Sequence, residues 1–253
     1  MTPCYNEEGN IEDLYLRVKE VFNQLPNYEY EHLFIDNASQ DKTVDELKKI
    51  AQKDPGVKVI VNARNFGPVR SGYYGILQCY GDAVIPIVAD LQDPPELILE
   101  FVKKWEEGYK VVKAFKTPMK EGAFFYFARQ IFYYLMDNLS DIKVTRNFTG
   151  FGLYDQKVIN VLREINDPYP YFRGLIEELG FESFSFEYQQ QRRKRGISSY
   201  NFYRYYSEAM LGITSHSQVP LRLATMLGFA LSLLSLLVAL GYLIAKLLFW
   251  DYF

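Results

Sequence analysis

The chain has 253 residues, of which 49% are hydrophobic, so it is long enough for one sizeable globular domain and a smaller additional element. Its formal net charge of −3 argues against a general nucleic-acid-binding protein. Two cysteines and two histidines without metal-ligand spacing argue against a disulfide framework and against a zinc site.

Apolar runs typical of strands alternate with amphipathic helical segments from Ile11 to Phe115. This alternation predicts right-handed crossovers and a mostly parallel sheet with helices on both faces, which is an α/β fold. Strands are expected at 32–36, 57–61, 83–89 and 110–115, and helices at 11–22, at 44–53, in a segment ending at 77, and at 96–106.

The polar loop Tyr5–Glu7 stands where a strand-to-helix junction belongs, yet very few residues precede it. We therefore expect the first strand of the sheet to be missing from this sequence. Loss of a buried strand leaves unpaired backbone on its neighbours. A version of the chain extended upstream by a short apolar strand should then be the more stable of the two.

The apolar run that ends at Ala89 is followed by the sequence Asp90-Leu-Gln-Asp-Pro-Pro95, which we call the acidic turn. Carboxylate and amide oxygens at the carboxyl end of a parallel strand suit a hard divalent cation and the phosphates that it carries. The two prolines are typical of the first positions of a helix. The alternative is that Asp93 caps this helix and Asp90 is a solvated strand end.

Two aromatic segments with helical spacing follow the α/β part, at 122–139 and 201–213. Tyr and Phe side chains suit the headgroup boundary of a membrane, so we expect both segments to contact a membrane surface. A buried core helix is the alternative for the first segment.

The segment from Ala224 to Ala245 is uncharged and almost wholly apolar, and it is long enough to cross a bilayer as a helix. A long buried helix of a soluble protein is the alternative. The basic run Arg192–Arg195 precedes this segment, and the positive-inside rule then places the N-terminal domain in the cytoplasm, at the cell membrane. The expected divisions are an α/β domain at 1–190, a basic loop with a juxtamembrane amphipathic helix at 191–220, and a transmembrane helix at 221–250.

Five motifs occur in a fixed order along the chain: Thr2-Pro-Cys-Tyr-Asn-Glu-Glu8, Asp36-Asn-Ala-Ser-Gln-Asp-Lys-Thr43, Arg64-Asn-Phe-Gly67, the acidic turn, and Arg195-Gly-Ile-Ser-Ser-Tyr200. With the apolar segment behind them, they resemble family 2 glycosyltransferases of the GT-A fold. The nearest group resembles the polyprenyl-phosphate sugar transferases, of the bactoprenol glucosyltransferase and dolichyl-phosphate mannose synthase type. The resemblance covers nearly the whole chain.

The resemblance implies a binding site for a nucleoside diphosphate sugar, with UDP or GDP as the nucleotide. Its residues would be Pro3, Tyr5, Glu7, Asp36, Arg64 and Asn65. Loops at the carboxyl ends of adjacent strands are where open α/β sheets bind ligands. The alternatives are that Asp36 only forms a turn or cap and that Arg64 is a solvated surface residue.

The resemblance also implies that Asp90 and Gln92 are catalytic and hold Mg²⁺ or Mn²⁺. The sequence departs from the Asp-x-Asp pattern of the family because Val88 occupies the first acidic position. One carboxylate, one amide oxygen and diphosphate oxygens still suit such an ion. We expect its affinity to be lower than with two aspartates.

A second departure is at Gly150 and Gly152, where relatives often have Asp and Arg. A sugar hydroxyl acceptor needs a general base, whereas a phosphomonoester is already largely anionic at neutral pH. The loss of the Asp therefore favours a lipid-phosphate acceptor. Glu177 and Glu178 are the nearest candidates for a substitute base, with a helix-surface pair as the alternative.

By the same resemblance, the basic loop would contact the acceptor, since guanidinium and ammonium groups bind phosphate. Arg193 and Arg195 are predicted to be catalytic, and the predicted acceptor-binding residues are Arg192, Lys194, Ser198 and Tyr200. A patch that only binds anionic lipid is the alternative.

The function implied is that of a membrane-anchored, inverting glycosyltransferase that moves a sugar from a nucleoside diphosphate to polyprenyl phosphate, for assembly of cell-envelope glycans. A homo-oligomer is compatible with this prediction. Two alternatives stay open. One is transfer to a hydroxyl of a glycolipid or cell-wall precursor, and the other is a non-catalytic relative that binds sugar nucleotide.

Overall fold

A computed structural model describes residues 1–117, 127, 148–191, 202–217 and 219–248 of the chain. Three parallel strands form a first sheet in the order β1-β2-β3. They are β1 (Thr2–Cys4), β2 (His32–Asp36) and β3 (Val57–Val61). The strand bounds predicted for β2 and β3 are confirmed.

The described helices follow the predicted order, and their apolar residues recur at helical spacing. They are α1 (Ile11–Asn23), α2 (Thr43–Lys53), α3 (Pro68–Leu77), α4 (Ile98–Glu106, after a 3-10 turn at Pro95–Leu97), α5 (Gln156–Ile165), α6 (Phe172–Glu178), α7 (Phe202–His216) and α8 (Val219–Leu248). In α1, for example, the buried residues are Ile11, Leu14, Val18 and Val21, which share one stripe of the helix.

A second sheet has the order β4-β6-β5-β7 and is mixed rather than parallel. Its strands are β4 (Ala83–Val84), β5 (Val111–Lys116), β6 (Phe148–Asp155) and β7 (Ser183–Tyr188). Strand β6 runs antiparallel to both of its neighbours, while β5 and β7 are parallel. The α/β fold with a parallel sheet is confirmed, but the prediction of a strand over 83–89 is wrong, because only two residues pair with β6.

Backbone hydrogen bonds join the two sheets at Met1. Its amino group donates to the Ile85 carbonyl at 2.8 Å, and its own carbonyl accepts from the Ile87 amide at 2.9 Å. In a pair of parallel strands, a residue forms hydrogen bonds with the two residues on either side of the residue opposite it. Met1 does so with Ile85 and Ile87, which lie on either side of Pro86. The chain between Val84 and the acidic turn therefore runs beside β1, and its carboxyl end lies at the same edge as those of β1, β2 and β3.

Strand β2 is buried on both faces, which places it at the centre of the molecule. Phe34 packs into a core cluster with Leu14, Leu47 and Phe101, on the side of α1, α2 and α4. Ile35 packs into a second cluster, with the apolar side chains of α3 and α5. A strand covered on both faces is typical of parallel sheets in α/β proteins.

The expectation of a missing first strand is corrected by β1, which is only three residues long but pairs with β2 in parallel. A cavity of about 150 Å³ lies at its amino end, lined by residues that include Met1, Tyr28, His32, Cys79 and Val84. It is at the opposite end of β1 from the loop that begins at Tyr5.

Helix α8 contains the segment Leu221–Leu248, which by length and composition is able to cross a membrane. The most apolar part of this helix has no buried residues. The described residues therefore do not bury it as a core helix. Of the two predicted aromatic segments, 201–213 is described from Phe202 onward as part of α7, and 122–139 lies outside the described residues apart from Phe127.

Candidate functional site

The loops after β1 and β2 are held together by hydrogen bonds in both directions. The Asn6 amide donates to Ser39 Oγ at 2.9 Å, and the Gln40 amide donates to Asn6 Oδ1 at 2.8 Å. The Glu7 amide donates to Thr43 Oγ1 at 2.8 Å. The predicted nucleotide residues Tyr5 and Glu7 are thereby placed beside the motif that begins at Asp36.

Asp36 is fully buried at the end of β2, and its carboxylate is occupied by Ser39. One oxygen accepts from the Ser39 amide at 2.9 Å and the other from the Ser39 hydroxyl. This arrangement agrees with the turn-forming alternative for Asp36. It fixes the loop that faces Tyr5, and each oxygen of Asp36 still has a lone pair for a further hydrogen bond.

Asn37 links the β2 loop to the β3 loop, a role that the sequence did not reveal. Its side-chain amide donates to Asn65 Oδ1 at 3.0 Å, and its Oδ1 accepts from the Phe66 amide at 2.9 Å. Asn65 Oδ1 also accepts from the Gly67 amide at 2.8 Å. Asn65 therefore shapes the turn into α3, while Arg64 is exposed with its guanidinium 4.1 Å from the centre of the Phe66 ring.

Three non-glycine residues with positive φ lie in the loops at this edge of the sheets. They are Asn6 at 55°, Ala38 at 62° and Leu91 at 58°, in the loops after β1 and β2 and in the acidic turn. Such conformations cost on the order of 1 kcal/mol each and cluster at ligand-binding sites. Three of the four non-glycine residues with positive φ in the described chain thus lie at this edge, and the fourth, Asn166, ends α5.

The two carboxylates of the acidic turn have different surroundings. Asp90 is partly exposed, and one of its oxygens accepts from the Gln92 amide at 3.1 Å. Asp93 is 3% exposed and accepts a hydrogen bond from the Tyr188 hydroxyl at the end of β7. Burial raises the pKa of Asp93. Asp93 therefore anchors the turn to the second sheet, and the alternative that it caps the following helix is wrong, since that 3-10 turn has no side-chain cap.

Lys116 lies among the charges of this turn, at the carboxyl end of β5. Burial lowers the pKa of its ammonium, while the nearby carboxylates of Asp93 and Asp90 act to raise it. The positive charge of Arg173 also acts to lower the pKa of Lys116, so a second cation lies near Lys116. The sequence alone indicated neither residue. The only local signal was that Lys116 is a charged residue at the end of an apolar strand.

Oxygen donors of the acidic turn fit a hard divalent cation, but only in part. Asp90 and Gln92 are both partly exposed, and Gln92 is held by a backbone hydrogen bond from Gln191 at 3.0 Å. Asp93 faces the interior instead. Within the described residues, no group of three or more His, Cys, Asp or Glu side chains converges on one point. An ion held here needs oxygens from the substrate as well.

The glycines at 150 and 152 have local backbone reasons. Gly150 has a φ of 94°, which disfavours any residue with a side chain. At Gly152 a Cβ would lie 2.1 Å from the Val112 carbonyl oxygen on the neighbouring strand. The side chains that relatives carry at these two positions do not fit this backbone.

Glu177 forms an ion pair with Lys113 in which both side chains are mostly buried, at 17% and 7% exposure. The Lys113 ammonium donates to the two carboxylate oxygens at 3.0 and 3.1 Å. Glu178 is exposed at the end of α6. The pair connects β5 to α6, so the structure gives Glu177 a structural role instead of that of a free base.

The remaining predicted site residues lie outside the described residues. They are Arg192, Arg193, Lys194, Arg195, Ser198 and Tyr200. Pro3 is partly buried within β1, next to the loop of Tyr5.

Comparison with known proteins identifies the family. The model for "Glycosyl transferase family 2" matches residues 1–163. The chain belongs to this family. An uncharacterised glycosyltransferase of Bacillus subtilis, YkcC, is 38% identical over 235 residues, which are 92% of this chain and 72% of the relative. The bactoprenol glucosyl transferase of Shigella phage SfV is 32% identical over 252 residues, or 99% of this chain and 82% of the relative.

Solved structures support the fold of this family 2 glycosyltransferase. The mannosyltransferase PcManGT from Pyrobaculum calidifontis, solved with GDP-Man and Mn²⁺, superposes with a TM-score of 0.50 at 14% identity. The match covers 82% of this chain and 59% of that one. The GT-A architecture predicted from the motifs is thereby confirmed.

Proposed function

We propose that this glycosyltransferase is anchored in the cell membrane and transfers a sugar from a nucleoside diphosphate, UDP or GDP, to polyprenyl phosphate with inversion at C1. The product would be a lipid-linked sugar for assembly of cell-envelope glycans. The bactoprenol glucosyl transferase of phage SfV supports the choice of acceptor, since the similarity spans 99% of this chain, including the apolar helix α8.

The observation that carries the proposal is that a cation, rather than an unpaired carboxylate base, is found near the acidic turn in the described residues. Gly150 carries no carboxylate, and of the two candidate substitute bases Glu177 is paired with Lys113, which disfavours a hydroxyl acceptor. Lys116 lies near the carboxylates of the acidic turn instead, and the positive charge of Arg173 acts on Lys116. An acceptor that is already an anion needs cations more than it needs a base.

In the proposed reaction, the loops of Tyr5, Asp36 and Asn65 bind the nucleotide, and the diphosphate lies toward the acidic turn. A phosphate oxygen of the lipid forms a bond to C1 from the face opposite the leaving group. The bond from C1 to the diphosphate oxygen breaks, and the electron pair leaves with the nucleoside diphosphate. The second pKa of a phosphomonoester is about 6, so no proton has to be removed in this step.

Lys116 and Arg173 would hold the lipid phosphate close to C1, which replaces a bimolecular encounter by an oriented one. Asp90 and Gln92 would hold Mg²⁺ or Mn²⁺, and this ion would offset the charge of the leaving diphosphate. Like PcManGT, which was solved with Mn²⁺, this chain has the GT-A fold. Val88, exposed at the first acidic position, contributes no ligand, so we propose that Asp90 carries the metal binding almost alone.

The membrane orientation is part of the same proposal. Helix α8 would cross the bilayer, and the basic run Arg192–Arg195 would keep the domain on the cytoplasmic side. Arg193 and Arg195 would then add positive charge next to the leaving diphosphate, and Arg192, Lys194, Ser198 and Tyr200 would bind the acceptor headgroup.

The test is transfer of radiolabelled sugar from a panel of UDP and GDP sugars to polyprenyl phosphate in membranes that contain the protein, with and without Mn²⁺. We expect one donor to give a metal-dependent, lipid-extractable product that dilute acid hydrolyses. Absence of such a product with every donor would refute the proposal. Label found only in a product with a sugar joined to a hydroxyl would assign the acceptor to a glycolipid or cell-wall precursor instead.

A further inference from the structure

The juxtamembrane helix α7 lies directly against the domain at one glycine. A Cβ atom placed on Gly212 would be 3.1 Å from Cζ and 3.2 Å from Cε2 of Tyr171. Real Cβ atoms rarely make contacts this close, so the backbone of α7 touches the face or edge of this ring only because residue 212 has no side chain. Tyr171 itself is 5% exposed.

Tyr171 contacts both this helix and Arg173. The guanidinium of Arg173 lies 5.2 Å from the centre of the Tyr171 ring, and its Nη1 donates to the Phe148 carbonyl at 3.2 Å. The Tyr171 carbonyl accepts the first backbone hydrogen bonds of α6, from Gly174 at 2.9 Å and Leu175 at 3.0 Å. Displacement of the Tyr171 ring would therefore remove one of the contacts that hold the side chain of Arg173.

The opposite side of α7 is exposed and aromatic. Tyr203 is 73% exposed, Tyr206 54% and Met210 38%. At about 100° per residue, Gly212 lies about 180° around the helix from Tyr203 and about 160° from Met210. Helix α8, the candidate membrane span, begins at Val219, soon after α7 ends at His216.

We propose that the contact between Gly212 and Tyr171 is the docking point that sets the height of the site above the bilayer. One side of α7 is fixed to the domain at this point, and the exposed face of Tyr203, Tyr206 and Met210 rests on lipid headgroups, for which Tyr is well suited. Gly212 and Tyr171 are thus positioning residues that hold Arg173 at the level of a phosphate in the membrane surface. This inference rests on the proposed lipid-phosphate acceptor.

The test is the variant Gly212→Val, with Gly228→Val as the matched control. Gly228 is in α8 with nothing within 4 Å of a Cβ, so the control makes the same substitution in a helix without a clash. For Gly212→Val we expect a rise of about tenfold to a hundredfold in the apparent KM for polyprenyl phosphate, since displacement by about 1 Å costs this much. Binding of the nucleotide sugar by Gly212→Val should match that of the wild type. The transfer rate of Gly228→Val should also match that of the wild type.

A double-mutant cycle shows whether the effect passes through the ring. In a Tyr171→Ala background, Gly212→Val should cause no further loss, because the ring that it meets is gone. An equal loss in both backgrounds, an unchanged KM in Gly212→Val, or loss of nucleotide-sugar binding in that variant would each overturn the inference. If the wild type transfers no sugar, the proposed function fails by itself, and the same cycle measured by thermal unfolding still decides whether the two residues are coupled.

Discussion

At the scale of single residues, the acidic turn separates two carboxylates that look equivalent in the sequence. Asp93 is bound by Tyr188 in the interior, whereas Asp90 stays partly exposed beside Gln92. Only surroundings supplied by β7, nearly 100 residues downstream, distinguish them. Asp90 is therefore the carboxylate that is available to a metal ion.

Replacement of Asp90 by Asn should lower glycosyl transfer by about a hundredfold or more, since removal of one charge-stabilising group has effects of this size. No second carboxylate shares the role, because Val88 occupies the other position. The measurement is initial rate at saturating Mn²⁺. Asp93→Asn is the matched control and should keep most of the activity, since the Tyr188 hydroxyl can donate to the new amide oxygen. Near-normal turnover of Asp90→Asn would show that the metal role assigned to Asp90 is wrong.

His32 gives a pH dependence of stability. It is 3% exposed, its Nε2 lies 2.9 Å from Thr2 Oγ1, and its ring stacks on Phe34. Burial, followed by the nearby N-terminal ammonium, lowers the pKa of His32 well below 6.5. Below pH 6.5 the unfolded chain therefore binds a proton that the folded chain does not bind. The contribution of the neutral ring to the free energy of unfolding is fully present above pH 6.5. It decreases as the pH falls below 6.5, by at most about 1.4 kcal/mol per pH unit.

The corresponding experiment compares chemical unfolding of the wild type and His32→Gln at pH 7 and at pH 5. The wild type should lose more unfolding free energy than the variant over this interval, because Gln does not titrate. Parallel pH curves for the wild type and His32→Gln would contradict the assignment.

At the scale of elements, periodicity predicted β2 and β3 of the first sheet but not β1, and it predicted the second sheet poorly. Strands β2 and β3 are continuous apolar runs that are buried in parallel pairs, and such runs are recognisable without tertiary information. The run at 83–89 gives the same signal, yet only Ala83 and Val84 pair with β6, and the rest follows β1 through Met1. The segment Phe148–Asp155 was difficult to assign because its two glycines obscure the strand pattern.

The pair of Lys113 on β5 and Glu177 on α6 permits a direct test of catalysis against structure. Glu177→Gln leaves a mostly buried ammonium without its countercharge and should destabilise the protein by about 3–5 kcal/mol. The double variant Lys113→Met/Glu177→Leu removes both charges and should recover most of the stability. If Glu177 is structural, the double variant also recovers transfer, measured with polyprenyl phosphate. A double variant that is stable but inactive would identify Glu177 as a base and favour a hydroxyl acceptor.

At the scale of the whole molecule, the candidate site is built from loops that the motifs identified individually. The sequence did not predict all of the contacts among the parts of the site. The motifs predicted Tyr5, Asp36 and Asn65 as neighbours because the loops of adjacent parallel strands meet at one edge. Lys116, at the end of β5 in the mixed sheet, lies near the acidic turn, and Arg173 on α6 lies near Lys116. Their approach depends on the antiparallel β6, for which the sequence carried no clear signal.

The cavity at the amino end of β1 gives a structural basis for the prediction that an upstream extension stabilises the chain. The amino group of Met1 is buried there, and burial lowers its pKa, so a charged terminus occupies an unfavourable position. An extension would turn this ammonium into an amide and continue β1 between β2 and the chain at Ala83, where the cavity of about 150 Å³ lies.

Addition of three apolar β-branched residues before Met1 should therefore raise the midpoint of thermal unfolding. Burial of one such side chain contributes about 1.5–3 kcal/mol, and 1 kcal/mol corresponds to about 2–4 °C in a domain of this size. The control extension has the same length but contains two prolines, which cannot donate hydrogen bonds to the neighbouring strands. It should leave the midpoint unchanged or lower it. Equal midpoints for the apolar extension and the unextended chain would show that the cavity does not accept a strand.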